Sequence, residues 1–152
     1  MADWLMKTEP EVFGIDHLAR KRVEHWDGVR SFQARNHMRA MQLNDRVLFY
    51  HSSCDPPGVA GLARVCRAAY PDFTSWNPKS KYYDPRSTPE NDRWSMVDVE
   101  FVEKFARLVP LDELRRTPGL EDMILLRRGM RLSVQPVTER HYDIICALGR
   151  QA

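Results

Sequence analysis

The sequence predicts an α+β fold. Strands and short helices interleave at irregular spacing along 152 residues, a pattern that suits α+β better than the even alternation of a doubly wound sheet. The apolar positions change period along the chain. Some stretches repeat every three to four residues, as helices do, and others alternate or run continuously, as strands do. Hydrophobic residues make up 43% of the chain, enough for one domain over residues 1–152 with its own core.

Met1 to Lys7 reads as a short strand, ended by Pro10, and Ile15 to Lys21 as a short helix. A second helix is expected from about Ser31 to Met41. Ser31 can cap it, and Ala34, Met38 and Met41 share one face. Arg35 and Arg39, four residues apart, lie together on a different face. Asn44-Asp45 turns the chain into Arg46 to His51, an apolar run suited to a strand covered on both sides. Asn44 tolerates a left-handed turn. Cys54 to Gly58 reads as a loop, and Val59 to Ala69 returns as a strand.

From Tyr70 to Asp92 the composition shifts toward Pro, Ser, Asp, Asn and Tyr. Phe73, Trp76, Tyr82 and Tyr83 give this stretch something to pack with, so it reads as a long ordered loop. Loops of this length are functional more often than short ones. The next strand is expected from Trp94 to about Arg107, with Val97, Val99, Phe101 and Phe105 alternating onto one face. Pro110 to Arg128 should hold two short helices around Thr117-Pro118-Gly119. Thr138 caps a final helix that carries Tyr142, Ile145, Cys146 and Leu148 toward the core and ends at Gly149.

Composition excludes several classes. No apolar run approaches the roughly 18 residues of a membrane span, so no membrane partner is expected. The start lacks the basic and apolar regions of a secretory signal. Cys54, Cys66 and Cys146 form neither a zinc pattern nor a disulfide framework. Free thiols point to a reducing cytoplasm, and a monomer is expected. Net charge is only +2, but the charges cluster. Arg20-Lys21-Arg22, Arg35 with Arg39, and Arg127-Arg128 with Arg131 form basic groups, while acidic residues concentrate at Asp98 to Glu103 and Asp112-Glu113. Arg supplies 18 of 23 basic residues, which fits phosphate and base-edge reading and equally fits a GC-rich coding bias. A locally basic face implies modest, salt-sensitive affinity for nucleic acid. Arg35, Arg39, Arg128 and Arg131 are the expected phosphate contacts; for the first two, a solvated helix face is the alternative.

Enzyme signals are scarce. There is no phosphate-cradling loop, dinucleotide fingerprint or zinc helix. His51 and Ser52 beside Cys54 point to opposite faces of a strand, so no concerted nucleophile and base is expected, and no cofactor or metal either. Binding signals are better. Trp26-Asp27-Gly28-Val29-Arg30 joins an aromatic plate, a glycine open to close approach and a guanidinium, a combination that suits a flat polar ring. Trp26 and Trp94 are candidate stacking plates. Trp94 serves equally well as core packing under the long loop. Lys7, Ser31, Asn36, Ser52 and Ser133 could read a base edge, as could the backbone at Gly28 to Arg30.

These motifs form an ordered series: Trp4 to Pro10, Trp26 to Arg30, Gln33 to Asn36, Tyr50 to Ser53, Tyr70 to Asp72, Tyr83 to Pro85, Arg93-Trp94 and Arg131 to Pro136. The series resembles the EVE domain of the PUA-like superfamily, related to YTH and ASCH domains, across nearly the whole chain. The resemblance implies a PUA-like mixed β-barrel surrounded by short helices. It also implies a non-catalytic reader of a modified nucleobase, a cytosine or adenine in DNA or RNA, held in an aromatic pocket. Carried over by position, the implied pocket residues are Trp26, Asp27, Gly28, Val29, Arg30, Asn36, Tyr50, His51, Ser52, Leu132 and Ser133, with Lys7 and Trp94 beside them. The family commonly has Asn then Tyr after the arginine. Here Ser31 and Phe32 stand there, and base identity does not transfer with the motif. The rival is an enzyme acting on RNA or a nucleotide through the same pocket.

Overall fold

The computed structural model describes residues 1–151. Six strands form one mixed sheet: β1 (Asp3–Thr8), β2 (Val23–Trp26), β3 (Arg46–His51), β4 (Gly58–Pro71), β5 (Ser95–Pro110) and β6 (Val134–Val137). They lie in the order β2-β5-β4-β3-β1-β6. Only β1 and β3 run parallel among the paired strands. The helices are α1 (Pro10–Phe13), α2 (Ile15–Lys21), α3 (Phe32–Ala40), α4 (Leu111–Arg116) and α5 (Glu139–Gly149), with short 3-10 turns at Phe73–Trp76 and Ile124–Leu126.

The mixed sheet with short helices around it is the expected α+β architecture, and the sheet is open rather than closed on itself. Its edges, β2 and β6, are not paired to each other. Each is four residues long, and Pro136 in β6 has no N–H to donate, which suits an edge. Two apolar layers cover the two faces. Trp4, Met6, Val47 and Phe49 pack with Leu18, Ala34 and Met38 from α2 and α3. Leu5, Leu48 and Leu62 pack with Leu114, Tyr142 and Ile145 from α4 and α5. Neighbouring residues of β1 thus serve opposite layers, as the two-residue strand period requires.

Residue chemistry explains where the helices begin. The Ser31 hydroxyl accepts from the Ala34 amide at 3.3 Å, and Thr138 Oγ1 accepts from the His141 amide at 3.1 Å. Pro10 opens α1 at a position where its missing N–H costs nothing. Asn44 takes the left-handed conformation at φ 72°. One expected alternation fails. Met96, Val97 and Val99 all join the first layer, and Phe105 belongs to the second. The β4–β5 ladder shifts register at several points, and each one-residue shift moves later side chains to the other face.

Candidate nucleic-acid interface

A cavity of about 600 Å³ opens where β1 and β3 end and β2 turns toward α3. Its walls come from distant parts of the chain: Lys7, Thr8 and Glu9, Val12, Trp26 to Arg30, Ser52 and Ser53, Lys81 and Tyr82, and Arg131 and Ser133. A recess of about 230 Å³ adds Phe13, Glu24 and His25, and shares Thr8, Val12, Trp26, Asp27 and Tyr82 with the larger space. The larger volume lies within the range of small-ligand sites.

The Trp26 to Arg30 segment is held by the long loop. Gly28 has φ +77°, and a Cβ there would lie 2.5 Å from the Tyr82 ring. The ring therefore rests directly on the Gly28 peptide, which only glycine permits. The Gly28 amide donates to Asp72 Oδ2 at 2.9 Å. Arg30 Nη1 donates to the same oxygen at 3.0 Å, while Nη2 and Nε donate to the Tyr82 carbonyl at 2.7 and 3.1 Å. Asp72 is fully buried. Its Oδ1 accepts from the Thr74 amide and hydroxyl at 2.9 and 2.5 Å. Arg30 thus shapes the cavity by fixing the loop that carries Tyr82.

Trp26, one of the candidate stacking plates, forms a buried wall of the cavity. It is 7% exposed and packs edge-on against Phe49 at 5.5 Å and Phe13 at 6.0 Å. Tyr82 is the aromatic surface on the loop side. Asp27 and Glu9 supply the acidic groups of the wall. Burial pushes the Asp27 carboxyl up, partly offset by His25, whose Nε2 lies 3.4 Å away, and reinforced by the charge of Asp72. Burial lowers the Lys7 ammonium, which sits 5.8 Å from the Tyr50 ring centroid. The rim holds Lys81 and Arg131 as further cations.

The other expected residues lie elsewhere. Tyr50 belongs to the second apolar layer, where burial pushes its phenol up to about 12. His51 Nε2 accepts from the Ile15 amide at 3.1 Å at the start of α2, and burial lowers its pKa. Leu132 packs against the first layer. Ser31 caps α3. Asn36 is exposed and accepts from Arg35 at 2.9 Å. Trp94 is covered: its ring stacks on Phe32 at 4.9 Å and its indole N–H donates to Asp84 at 2.7 Å. Arg35 and Arg39 donate to the Arg93 carbonyl and the Ser95 hydroxyl, each at 2.9 Å. Arg128 is exposed on a loop outside the cavity wall. Thr8, Glu9, Val12, Ser53, Lys81 and Tyr82 are the wall residues that sequence reasoning missed. The aromatic content of the long loop was the one available signal for Tyr82.

Among the described residues, no cluster of His, Cys, Asp and Glu could hold a metal ion, and no helix is long and apolar enough to cross a membrane. The cavity therefore offers aromatic and peptide surfaces, the carboxyls of Glu9 and Asp27 and several cations. Such a cavity can accept a polar ring and anionic groups attached to it.

Comparison with known proteins gives a consistent result. The EVE domain family model matches residues 2–148. Human thymocyte nuclear protein 1 is 43% identical over 95% of this chain and 72% of its own length. A hypothetical protein from Leishmania major superimposes with a TM-score of 0.94 at 48% identity, covering 98% of this chain and 94% of its own. The human THYN1 protein, solved in complex with DNA containing 5-methylcytosine, superimposes with a TM-score of 0.92 at 42% identity, covering 100% of this chain and 99% of its own.

Proposed function

The chain belongs to the EVE domain family, and from that premise we propose that it is a non-catalytic module that binds DNA carrying a modified cytosine, with the modified base held in the cavity beside Trp26 and Tyr82. One observation carries this reading: the cavity built by Trp26 to Arg30 lies in a chain that superimposes over its whole length on a protein solved with 5-methylcytosine DNA. The chemistry of the wall fits. The Asp27 carboxylate can accept from the exocyclic amine of cytosine, the pairing that acidic side chains make with that base. Gly28 allows the aromatic ring of Tyr82 to close over its peptide, and the base enters between Tyr82 and the Trp26 wall. Lys7, Lys81 and Arg131 meet phosphate charge at the rim.

A binding role also fits the use made of the reactive side chains. His51 Nε2 accepts from the Ile15 amide at the start of α2, and burial raises the Cys54 thiol, which disfavours the thiolate that nucleophilic chemistry needs. The test is a binding screen at two salt concentrations. Its probes are one duplex carrying a single cytosine, 5-methylcytosine or 5-hydroxymethylcytosine, and an RNA strand carrying N6-methyladenine. The expected result is tightest binding to a modified-cytosine duplex, with the probe recovered at unchanged mass. Equal binding of all probes, or a mass change that Asp27→Asn abolishes, would overturn the reading.

A further inference from the structure

A second aromatic and arginine surface lies outside the cavity. Phe32, the first residue of α3, is 49% exposed although it is a large apolar side chain. Its ring lies nearly parallel to Trp94, with an interplanar angle of 14°. Arg35 Cζ sits 4.7 Å and Arg93 Cζ 5.6 Å from its centroid. Arg39 lies one turn further along the same helix.

Two features make this surface unusual. Its positive charge is poorly compensated. Arg93 has Asp84 at 3.7 Å. Arg35 feels Arg39 and Arg93 as like charges, with Asp92 as the favourable neighbour. The first turn of α3 carries no acidic residue to offset its dipole. The surface is also continuous with the cavity. The Arg30 guanidinium, part of the cavity wall, lies 5.7 Å from the Tyr82 ring and 5.4 Å from the Trp94 ring. One row of stacked groups therefore runs from inside the cavity to the exposed Phe32.

We propose that Phe32 and the arginines around it dock the stretch of DNA that flanks the nucleotide in the cavity, with Phe32 stacking on a neighbouring base and Arg35, Arg39 and Arg93 meeting phosphates. The inference rests on the reading of the cavity as a DNA site. Positive charge with an exposed aromatic face is the chemistry that tracks a nucleic-acid strand, and these contacts do not read the modification.

The experiment compares Phe32→Leu and Phe32→Tyr with the unaltered protein, using one duplex with a single 5-methylcytosine and the same duplex unmethylated. Leu keeps an apolar cover on Trp94 and removes the ring face; Tyr retains the ring. Phe32→Leu is expected to weaken binding of both duplexes about tenfold, leaving their ratio unchanged, and Phe32→Tyr to bind as the unaltered protein does. Unchanged affinity of Phe32→Leu for both duplexes overturns the proposal. If the unaltered protein shows no preference for the methylated duplex but Phe32→Leu still weakens both, the cavity reading fails and the docking surface stands. If the unaltered protein binds neither duplex, both fail.

Discussion

Two regions of this molecule combine arginine with aromatic rings, and they use them in opposite ways. At Trp26 to Arg30 the groups are satisfied internally. Arg30 donates to Asp72, Tyr82 and Val29, and Trp26 packs against Phe13 and Phe49. At the start of α3, Phe32 is half exposed and Arg35, Arg39 and Arg93 crowd one another. The first region is a rigid mould whose polar groups spend their hydrogen bonds on shape. The second leaves a ring face exposed and places Arg35 and Arg93 beside it. An arginine in a family motif therefore need not touch the ligand. Its hydrogen-bond partners decide whether it builds the site or contacts what enters it.

If this contrast is right, changes in the mould should cost stability first. Trp26→Ala should lose about 3–5 kcal/mol, the usual cost of truncating a buried tryptophan, and lower the melting temperature by roughly 10 °C. Asp72→Ala, which strands the Gly28 amide and the Arg30 guanidinium, should lose about 3 kcal/mol. Thermal melts of the unliganded variants check both. A Trp26→Ala melt within 2 °C or so of the unaltered protein would return Trp26 to the role of an exposed plate.

A smaller change sharpens the comparison. Gly28→Ala adds one methyl group 2.5 Å from the Tyr82 ring at φ +77°. It should cost about 1–2 kcal/mol of stability yet reduce selectivity for the modified duplex about tenfold, because Tyr82 loses its seat. Competition between modified and plain duplexes, run beside a melt, separates the two effects.

Acidity probes the same wall. The folded-state pKa of Asp27 is raised above its ordinary value of 3.8. In the free protein this favours the protonated carboxyl, so its contribution to stability is present at acid pH and lost as pH rises through the raised value. Binding through the carboxylate should do the reverse, weakening as pH falls through that window. Asp27→Asn should flatten both profiles. Affinity that strengthens on acidification through Asp27 would contradict its role as acceptor. The smallest effect is expected at α3. Arg35→Ala with Arg39→Ala should weaken modified and plain duplexes equally and flatten the log–log salt slope by about 0.9 per lost phosphate contact.

The sequence disclosed the regular parts of this architecture. Helices α3 and α5 were legible because their caps and apolar periods agree: Ser31 and Thr138 stand where their hydroxyls meet free amides. Strands β2 and β6 and helix α1 escaped notice because four residues are too few to display a period. The face of Phe105 was misread because register shifts in the β4–β5 ladder leave no local mark. At the site, the Trp26 to Arg30 segment stood out in composition, and it does line the cavity. Its partners did not. Asp72 and Tyr82 lie 42 and 52 residues beyond Arg30, and nothing in spacing pairs them with it. Trp94 looked equally suited to stacking or packing, and the difference was decided by Phe32 covering it.

The central claim is that one modified cytosine leaves its pair and enters the cavity. The most direct test is the imino proton spectrum of a duplex holding a single 5-methylcytosine opposite guanine, recorded with and without the protein. Entry of the base into the cavity removes the partner of that guanine and exposes its imino proton to exchange. The account predicts that this one resonance disappears in the complex, and that it persists with Gly28→Ala. A complex that keeps its preference for 5-methylcytosine while the guanine imino resonance stays intact would contradict it.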